Sequence, residues 1–291
     1  MPKSFYFIKP ISLEHSFTSV VAMATYANDN PVWLEEAVNS VLAQDYRDFV
    51  FVIVIDGPIP DAIEQVLQKA LLNDQRIVLA KSEGNVGLSR CMNFVMDWCL
   101  PYQPEYFFRM DADDISLPTR MSTQIAFLEQ HEDVDVLGSA LIEINEVGKQ
   151  VGARTLPSGN AKLRRNMSTR CPINHPTVVL RFSALEQGFR YRNDLKNTQD
   201  YFLWIELMEA GFKFHNLKQP LLKFRRVNDF YKRRGITKSI NEFKARIFAM
   251  RALKRMRLRY LVYACAVLVM RCLPPPMVKL AYKFDRYVLN R

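Results

Sequence analysis

Residues 49–55 read FVFVIVI, seven apolar side chains in a row closed by Asp56-Gly57-Pro58. A strand with one wet face alternates apolar and polar residues, so an unbroken apolar run predicts a strand buried on both faces and ended by a turn. Such strands belong to parallel sheets covered by helices on either side, which restricts the chain to α/β folds. The flanking segments agree. Residues 18–25 (TSVVAMAT) form a second β-branched run that stops at Tyr26-Ala27-Asn28-Asp29-Asn30. Pro31 then opens a stretch with Leu34, Val38, Val41 and Leu42 at helical spacing. The pattern continues with a helix over 62–72, a strand over 77–80, a loop at 82–87, a helix over 88–99 and a strand over 106–110 that runs into Asp111. Four alternations of strand and helix predict an open, mostly parallel, doubly wound sheet of the Rossmann-like kind.

Ligands of such sheets bind outside the carboxyl ends of the strands. Thr25, Tyr26, Asp56, Asn85 and Asp111 all fall at those ends, so five polar positions distant in sequence are expected to converge on one crevice. Further on, strands are predicted over 134–141, 177–182 and 212–217, a short helix over 160–167, and a helix over 201–210 ended by Gly211. There is no GxGxxG and no GxxxxGK[ST], so dinucleotide and P-loop readings have no local support, and no internal repeat is present.

The chain has 291 residues, 49% hydrophobic and 24% charged, enough for one packed α/β core plus a smaller appendage and unlike a disordered polymer. The five cysteines (Cys91, Cys99, Cys171, Cys265, Cys272) show no metal-ligand spacing. Their odd number fits a reducing compartment, and Cys265 and Cys272, separated by a mostly apolar stretch, are expected to be buried. The first ten residues lack the apolar core and cleavage site of a signal peptide.

A formal charge of +10 suggests nucleic acid until it is located. Twelve of the 40 Lys and Arg lie beyond residue 242 against the single acid Asp285, which leaves 28 basic and 29 acidic residues elsewhere. The excess therefore describes an attachment device rather than the core, and a nucleic-acid partner is not expected. Residues 240–259 read as one basic amphipathic helix. The apolar run 260–270 is shorter than the about 20 residues a crossing needs, so it is expected to lie in the interface with Tyr260, Tyr263, Tyr282 and Tyr287 near the headgroups.

Asp111, Asp113 and Asp114 crowd one strand end with Arg109 as the sole nearby cation. Carboxylates packed this closely repel, and a divalent cation with oxygen ligands, Mg2+ or Mn2+, relieves the repulsion and also binds a diphosphate. The plainer alternative is an Asp-rich turn capping a helix that starts near Pro118.

The ordered set TSVVAMATYANDNPVWLEEAVNSVLAQDY, VIVIDG, NVGLSRCMN and FFRMDADDISLPTRMSTQIAFLE resembles the inverting family 2 glycosyltransferases of the GT-A fold, especially bacterial enzymes of surface polysaccharide synthesis. The resemblance covers residues 18–234. It implies that Thr25, Tyr26 and Asp56 hold the nucleotide base, usually uracil, with Asn85 and Arg90 completing the pocket. It places Asp111 by the ribose and Asp113 with Asp114 at the metal and diphosphate. For Asp56 a turn residue before Gly57, and for Arg90 a solvated helix residue, are the competing readings. The family's late Glu-Asp pair corresponds to Gln199-Asp200, which makes Asp200 the general base; an ordinary N-terminal cap is the alternative for an Asp in a first helical turn. CPINHPT at 171–177 resembles the segment under the sugar, where His175 either donates to diphosphate or acceptor oxygens or is a satisfied structural histidine. The basic run RRVNDFYKRR, with Arg233 and Arg234, either closes over a diphosphate of donor or lipid-linked acceptor or is a solvated charge run.

These expectations compose a transferase domain over 16–235 and a membrane-associating helical region over 236–291. The implied reaction moves a hexose or N-acetylhexosamine from a UDP-sugar to a saccharide acceptor, one linked to polyprenyl diphosphate, at the cytoplasmic face of the cell membrane. The implied products are capsule, O-antigen or lipopolysaccharide. Two other classes compete. A nucleotidyltransferase of sugar phosphates normally carries a Gly-rich basic loop after its first strand, and here that loop is acidic and lacks Gly. A non-enzymatic protein that binds anionic surfaces would use the tail alone.

Overall fold

The computed structural model describes residues 4–10, 16–195, 197–227 and 236–271. In chain order the strands and helices are β1 (Phe5–Lys9), β2 (Ser19–Thr25), α1 (Pro31–Leu42), β3 (Phe49–Ile55), α2 (Asp61–Asn73), β4 (Ile77–Ser82), α3 (Leu88–Cys99), β5 (Tyr106–Asp111), β6 (Ile115–Ser116) and α4 (Arg120–Gln130). They continue with β7 (Val136–Ile144), β8 (Gln150–Arg154), α5 (Asn160–Asn166), β9 (Val179–Arg181), α6 (Ser183–Glu186), α7 (Gln199–Glu209), β10 (Phe214–Arg225), α8 (Ile236–Ala252) and α9 (Leu258–Arg271).

One sheet runs in the order β1-β4-β3-β2-β5-β9-β7-β10-β6, with β8 paired to β7. The block β4-β3-β2-β5 is parallel, and every residue of β3 is buried, as its unbroken apolar sequence demands. Chain order reverses between β2 and β5, where the topology opens a crevice at the strands' carboxyl ends. Ala24 pairs with Asp111 and Thr25 with Ile55, so the three strand ends lie level and their next residues share one rim.

Each face of the sheet carries its own core. α1, α2 and α4 cover one, through Leu34, Val38, Leu67 and Leu128. α3, α5, α7 and α8 cover the other, where Trp204, Tyr201 and Phe107 are fully buried. α8 is part of this second core: Ala245, Ala249 and Leu253 are buried in it, and the Phe202 and Phe248 rings lie 5.5 Å apart.

Several local expectations change. The N-terminal strand β1, antiparallel to β4, was not anticipated, because five residues with Lys9 at one end carry little periodic signal. β10 extends to Arg225 rather than stopping near Leu217, since its irregular pairing with β7 lets it pass Pro220. The basic helix is two helices. The chain breaks after Ala252, where Lys254 adopts a φ of 53°, a left-handed conformation for which Lys has no marked sequence preference. Cys265 is exposed on α9 rather than buried, while Cys91 and Cys99 lie in the core. Among the described residues no helix is long and apolar enough to cross a membrane. Cys272, Tyr282, Tyr287, Arg233 and Arg234 lie outside the described residues.

Candidate active site

At the end of β2, Thr25 Oγ1 donates to Asp29 Oδ2 at 2.9 Å and the Tyr26 amide donates to the same oxygen at 3.0 Å. The loop is thereby folded back on itself and Tyr26 left exposed. Asn30 caps α1 by accepting from the Val32 and Trp33 amides. At the end of β3, Asp56 accepts from the Val86 amide at 2.6 Å through Oδ1 and from the Gly87 amide at 2.9 Å through Oδ2. Ser82 Oγ donates to Oδ1 as well, at 3.3 Å. The Cys91 thiol also reaches this carboxylate, so its about four acceptor positions are taken up as it ties two strand ends together. Gly57 is required beside it: its φ is +87°, and a Cβ there would lie 2.6 Å from the Asn85 amide nitrogen. Asn85 and Arg90 are exposed on the same rim, and the Arg90 guanidinium has no hydrogen-bond or ion-pair partner among the described residues.

At the end of β5, Asp111, Asp113 and Asp114 each place a carboxylate oxygen within 4.8 Å of the others. Arg109 lies two residues back on the same face of the strand, and its buried guanidinium grips both oxygens of Asp111 in a fork. That leaves the other two acids only partly compensated. Burial, then the charges of Asp111 and Asp29, push Asp113 up to about 7. Burial, then Asp111 and Asp113, hold Asp114 well above the usual carboxylate range. Asp114 Oδ1 accepts from the Arg225 amide at 2.9 Å, whereas its buried Oδ2 has no hydrogen-bond partner among the described residues. An orphaned buried oxygen beside two further carboxylates suits a hard divalent cation. The capping alternative does not hold: α4 starts at Arg120 with Thr119 as its N-cap, and no side chain caps it.

Arg225 anchors this turn from behind. Its guanidinium donates to the carbonyls of Asp113 (3.0 Å), Asn145 and Glu146, pairs with Glu36, and lies 5.0 Å from the Trp33 ring centroid. Arg226 pairs with Glu143 at 3.0 Å. The first two residues of the basic run are therefore committed to structural contacts, Arg225 within β10 itself.

A second group gathers at the start of α7. His175 Nδ1 lies 3.3 Å from Asp200 Oδ2, and its Nε2 lies 3.1 Å from the Tyr191 hydroxyl. The Nδ1–Asp200 approach is a close contact without hydrogen-bond geometry, whereas Nε2 and the Tyr191 hydroxyl are hydrogen-bonded to each other. The His175 and Tyr191 rings stack at 5.6 Å, and Trp204 meets His175 edge-on at 5.7 Å. Burial and the Arg109 charge hold His175 well below its ordinary value, so it is neutral. Its burial and its Nε2 hydrogen bond to Tyr191 favour the structural histidine over a donor to diphosphate. Burial raises Asp200, against the Tyr201 amide and the Arg109 charge. Asp200 is the second residue of α7, not its cap; the cap position is Thr198, held at a φ of 64°, which is strained for a β-branched residue. Gln199 has a buried Oε1 with no partner among the described residues.

The charge of Arg109 acts on Asp111 and Asp113 and also on His175, Tyr191 and Asp200, so the two groups share one crevice. Asp29, Arg109 and Tyr191 were not picked out as site residues from sequence. Asp29 had a local signal, an Asx-type turn after a strand end. Tyr191 had none, because its partner is 16 residues away across a tertiary contact.

Comparison with known proteins fits this geometry. The glycosyl transferase family 2 model matches residues 20–189. The amylovoran biosynthesis glycosyltransferase AmsE of Erwinia amylovora is 30% identical over 271 residues, 91% of this chain and 98% of that protein. The UDP-Gal:alpha-D-GlcNAc-diphosphoundecaprenol beta-1,3-galactosyltransferase of Escherichia coli is 30% identical over 237 residues, 80% of this chain and 83% of its own. Among solved structures, S. aureus TarS in complex with UDP-GlcNAc superposes with a TM-score of 0.61 at 16% identity, covering 90% of this chain and 83% of that one. The mannosyltransferase PcManGT of Pyrobaculum calidifontis, in complex with GDP-Man and Mn2+, gives 0.58 at 13% identity, with 98% and 84% covered. The crevice at the β2–β5 reversal is thus that of a GT-A fold, and the chain belongs to glycosyl transferase family 2 and is a glycosyltransferase.

Proposed function

We propose that the chain transfers a hexose or N-acetylhexosamine from a UDP-sugar, with inversion, to a saccharide carried on polyprenyl diphosphate, in the synthesis of a cell-surface polysaccharide. The observation that carries this reading is the placement of Asp200 in the same Arg109-centred crevice as the acidic turn. An inverting transfer needs a base on one side of the anomeric carbon and charge stabilisation for the leaving diphosphate on the other. The relatives support the substrates: one acts on a diphosphoundecaprenol-linked sugar with UDP-Gal, and another serves amylovoran biosynthesis.

In this reading Thr25, Tyr26, Asp56, Asn85 and Arg90 line the base pocket. Asp111 lies by the ribose. Asp113 and Asp114 hold Mn2+ or Mg2+, which when bound supplies positive charge for the donor diphosphate. Asp200 takes the proton of the acceptor hydroxyl as that oxygen bonds to the anomeric carbon; the bond from that carbon to the diphosphate oxygen breaks and UDP leaves with the electron pair. His175, held by Tyr191, packs beside the carboxylate, and Gln199, Arg233 and Arg234 are assigned to the acceptor or its diphosphate. Residues 16–235 form the transfer domain, and 236–291 attach it peripherally to the cytoplasmic face of the membrane.

The test is donor hydrolysis. Purified protein with Mn2+ and a panel of UDP-, GDP- and dTDP-sugars is followed for free nucleotide. Metal-dependent release from a UDP-sugar that is lost in Asp113→Ala is the expected result. Release from no donor, together with no metal-dependent nucleotide binding, overturns the reading.

A further inference from the structure

Away from the crevice, α5 and the turn between α8 and α9 enclose an open cleft of about 690 Å³. Four arginines line it: Arg165 from α5, Arg255 and Arg257 from the turn, and Arg259 from the first turn of α9. None of the four pairs with an acid among the described residues. Arg246, one helix away, shows what this chain does with a cation it uses structurally: the side chain is buried, paired with Glu242 and donating to the Thr169 carbonyl at 2.6 Å. Two of the cleft arginines, Arg255 and Arg259, are instead braced on an aromatic. Tyr260 accepts from Arg259 at 3.1 Å and from Arg255 at 3.4 Å, and the Arg259 guanidinium sits 4.8 Å from the Tyr260 ring centroid. Arg255 Nε is buried without a partner. Guanidinium groups held side by side with no counter-charge repel, and a phosphate, which accepts from their forks in pairs, is the ligand that removes the repulsion.

A second observation says where that phosphate comes from. Beside the cleft, α9 turns an apolar face to solvent: Leu258 is 77%, Val262 58% and Val269 63% exposed, with Cys265 also exposed on the same side and Met256 exposed in the preceding turn. Residues spaced by four, seven and eleven along a helix share one side. At 14 residues α9 is too short to cross a bilayer, and it fits a helix lying in the interface. Leu258 lies between Arg257 and Arg259 in sequence, so the apolar side and the cationic cleft meet at one edge.

We propose that this cleft binds the phosphate of an anionic membrane phospholipid, with the exposed face of α9 in the acyl layer, and that this pair of contacts sets how the transferase sits on the membrane. The inference deepens the membrane-face reading above and depends on neither donor nor acceptor. It assigns the role to particular arginines rather than to the summed charge of the tail.

The experiment is vesicle co-sedimentation of the full chain on phosphatidylglycerol-containing and phosphatidylcholine-only vesicles. Three variants are compared, each checked for an unchanged melting temperature: Arg257→Gln/Arg259→Gln, Leu258→Ser/Val262→Ser, and Lys244→Gln/Arg251→Gln. The last removes the same charge from exposed α8 positions that do not line the cleft. The wild type prefers phosphatidylglycerol. The cleft pair loses on the order of tenfold or more in binding, the α8 pair loses far less, and the apolar pair also weakens vesicle binding. Equal losses in the two charge pairs overturn the proposal in favour of diffuse attraction. Equal binding to both vesicle types overturns it in favour of apolar insertion alone. Inorganic pyrophosphate bound tightly in solution, lost in the cleft pair and accompanied by no vesicle preference, overturns it in favour of a soluble anion. UDP-sugar hydrolysis measured without vesicles persists in the cleft pair; absence of hydrolysis in the wild type would instead mark failure of the transferase reading.

Discussion

Two carboxylate sites share the crevice and are built on opposite terms. At the end of β5, Asp113 faces Asp111 and Asp29, Asp114 faces Asp111 and Asp113, and the nearby guanidiniums are committed elsewhere, Arg109 to Asp111 and Arg225 to Glu36 and main-chain carbonyls. At the start of α7, Asp200 stands without another acid, 3.3 Å from a neutral imidazole that is itself held by a phenol. The first arrangement stores repulsion that a cation relieves. The second raises a carboxylate by burial and orients it without neutralising it, which suits proton transfer. Like groups pushed apart by their surroundings take different tasks.

The largest expected effect breaks the second site. Asp200→Asn keeps the shape and removes the base, so transfer to an acceptor falls by about 10²–10⁴-fold, while metal-dependent UDP-sugar binding, followed by calorimetry, stays within about twofold. Equal loss of binding would mean that Asp200 holds the donor. Asp113→Ala does the converse: it removes Mn2+-dependent nucleotide binding and lowers kcat/KM by about 10²–10³-fold, a magnitude typical of losing one stabilising contact to the leaving group. The two variants therefore separate on binding, not on rate.

His175 sharpens the comparison. His175→Leu replaces the polar ring 3.3 Å from Asp200 by an apolar side chain, and a carboxylate whose charged form is less well solvated titrates higher. The acid limb of the kcat profile moves to higher pH and kcat falls about tenfold to a hundredfold, with donor KM unchanged. His175→Asn, which returns a polar group beside Asp200, recovers much of both. His175 itself is held neutral through the neutral range, so removing it deletes no limb of its own.

The first site was far more legible in sequence than the second, for a physical reason. Strand ends announce themselves: an apolar run stops, and the polar residues that follow sit on one rim because parallel strands end level. Thr25, Asp56 and Asp111 needed only that rule, and the register Ala24 to Asp111 delivers it. The Tyr191–His175–Asp200 arrangement depends on three segments folding over one another with no periodic signature. Arg225 and Glu36, 189 residues apart, are likewise invisible until the chain closes. Asp200 and His175 were found through family resemblance, whereas the break at Lys254 had neither a pattern nor a motif to mark it.

The smallest effect concerns stability and tests whether the acidic turn is strained without metal. Asp113 has its pKa raised from 3.8 to about 7 in the folded chain, so between those values the folded state binds a proton the unfolded state has released. Its contribution is then fully favourable below the unfolded value and is lost as pH rises through about 7. In chelator, the melting temperature falls as pH is raised from acid through neutrality, and Mn2+ reverses the fall by binding the ionised form. Asp113→Asn removes the group that deprotonates, so in chelator at mildly alkaline pH it melts higher than wild type, by about 1–2 kcal/mol after discounting for partial exposure. At acid pH, where the wild-type carboxyl is already neutral, the two proteins melt together. A lower melting temperature for Asp113→Asn at alkaline pH would show that the carboxylate contributes to folding even without its cation, and the contrast with Asp200 would then lie in geometry rather than in charge.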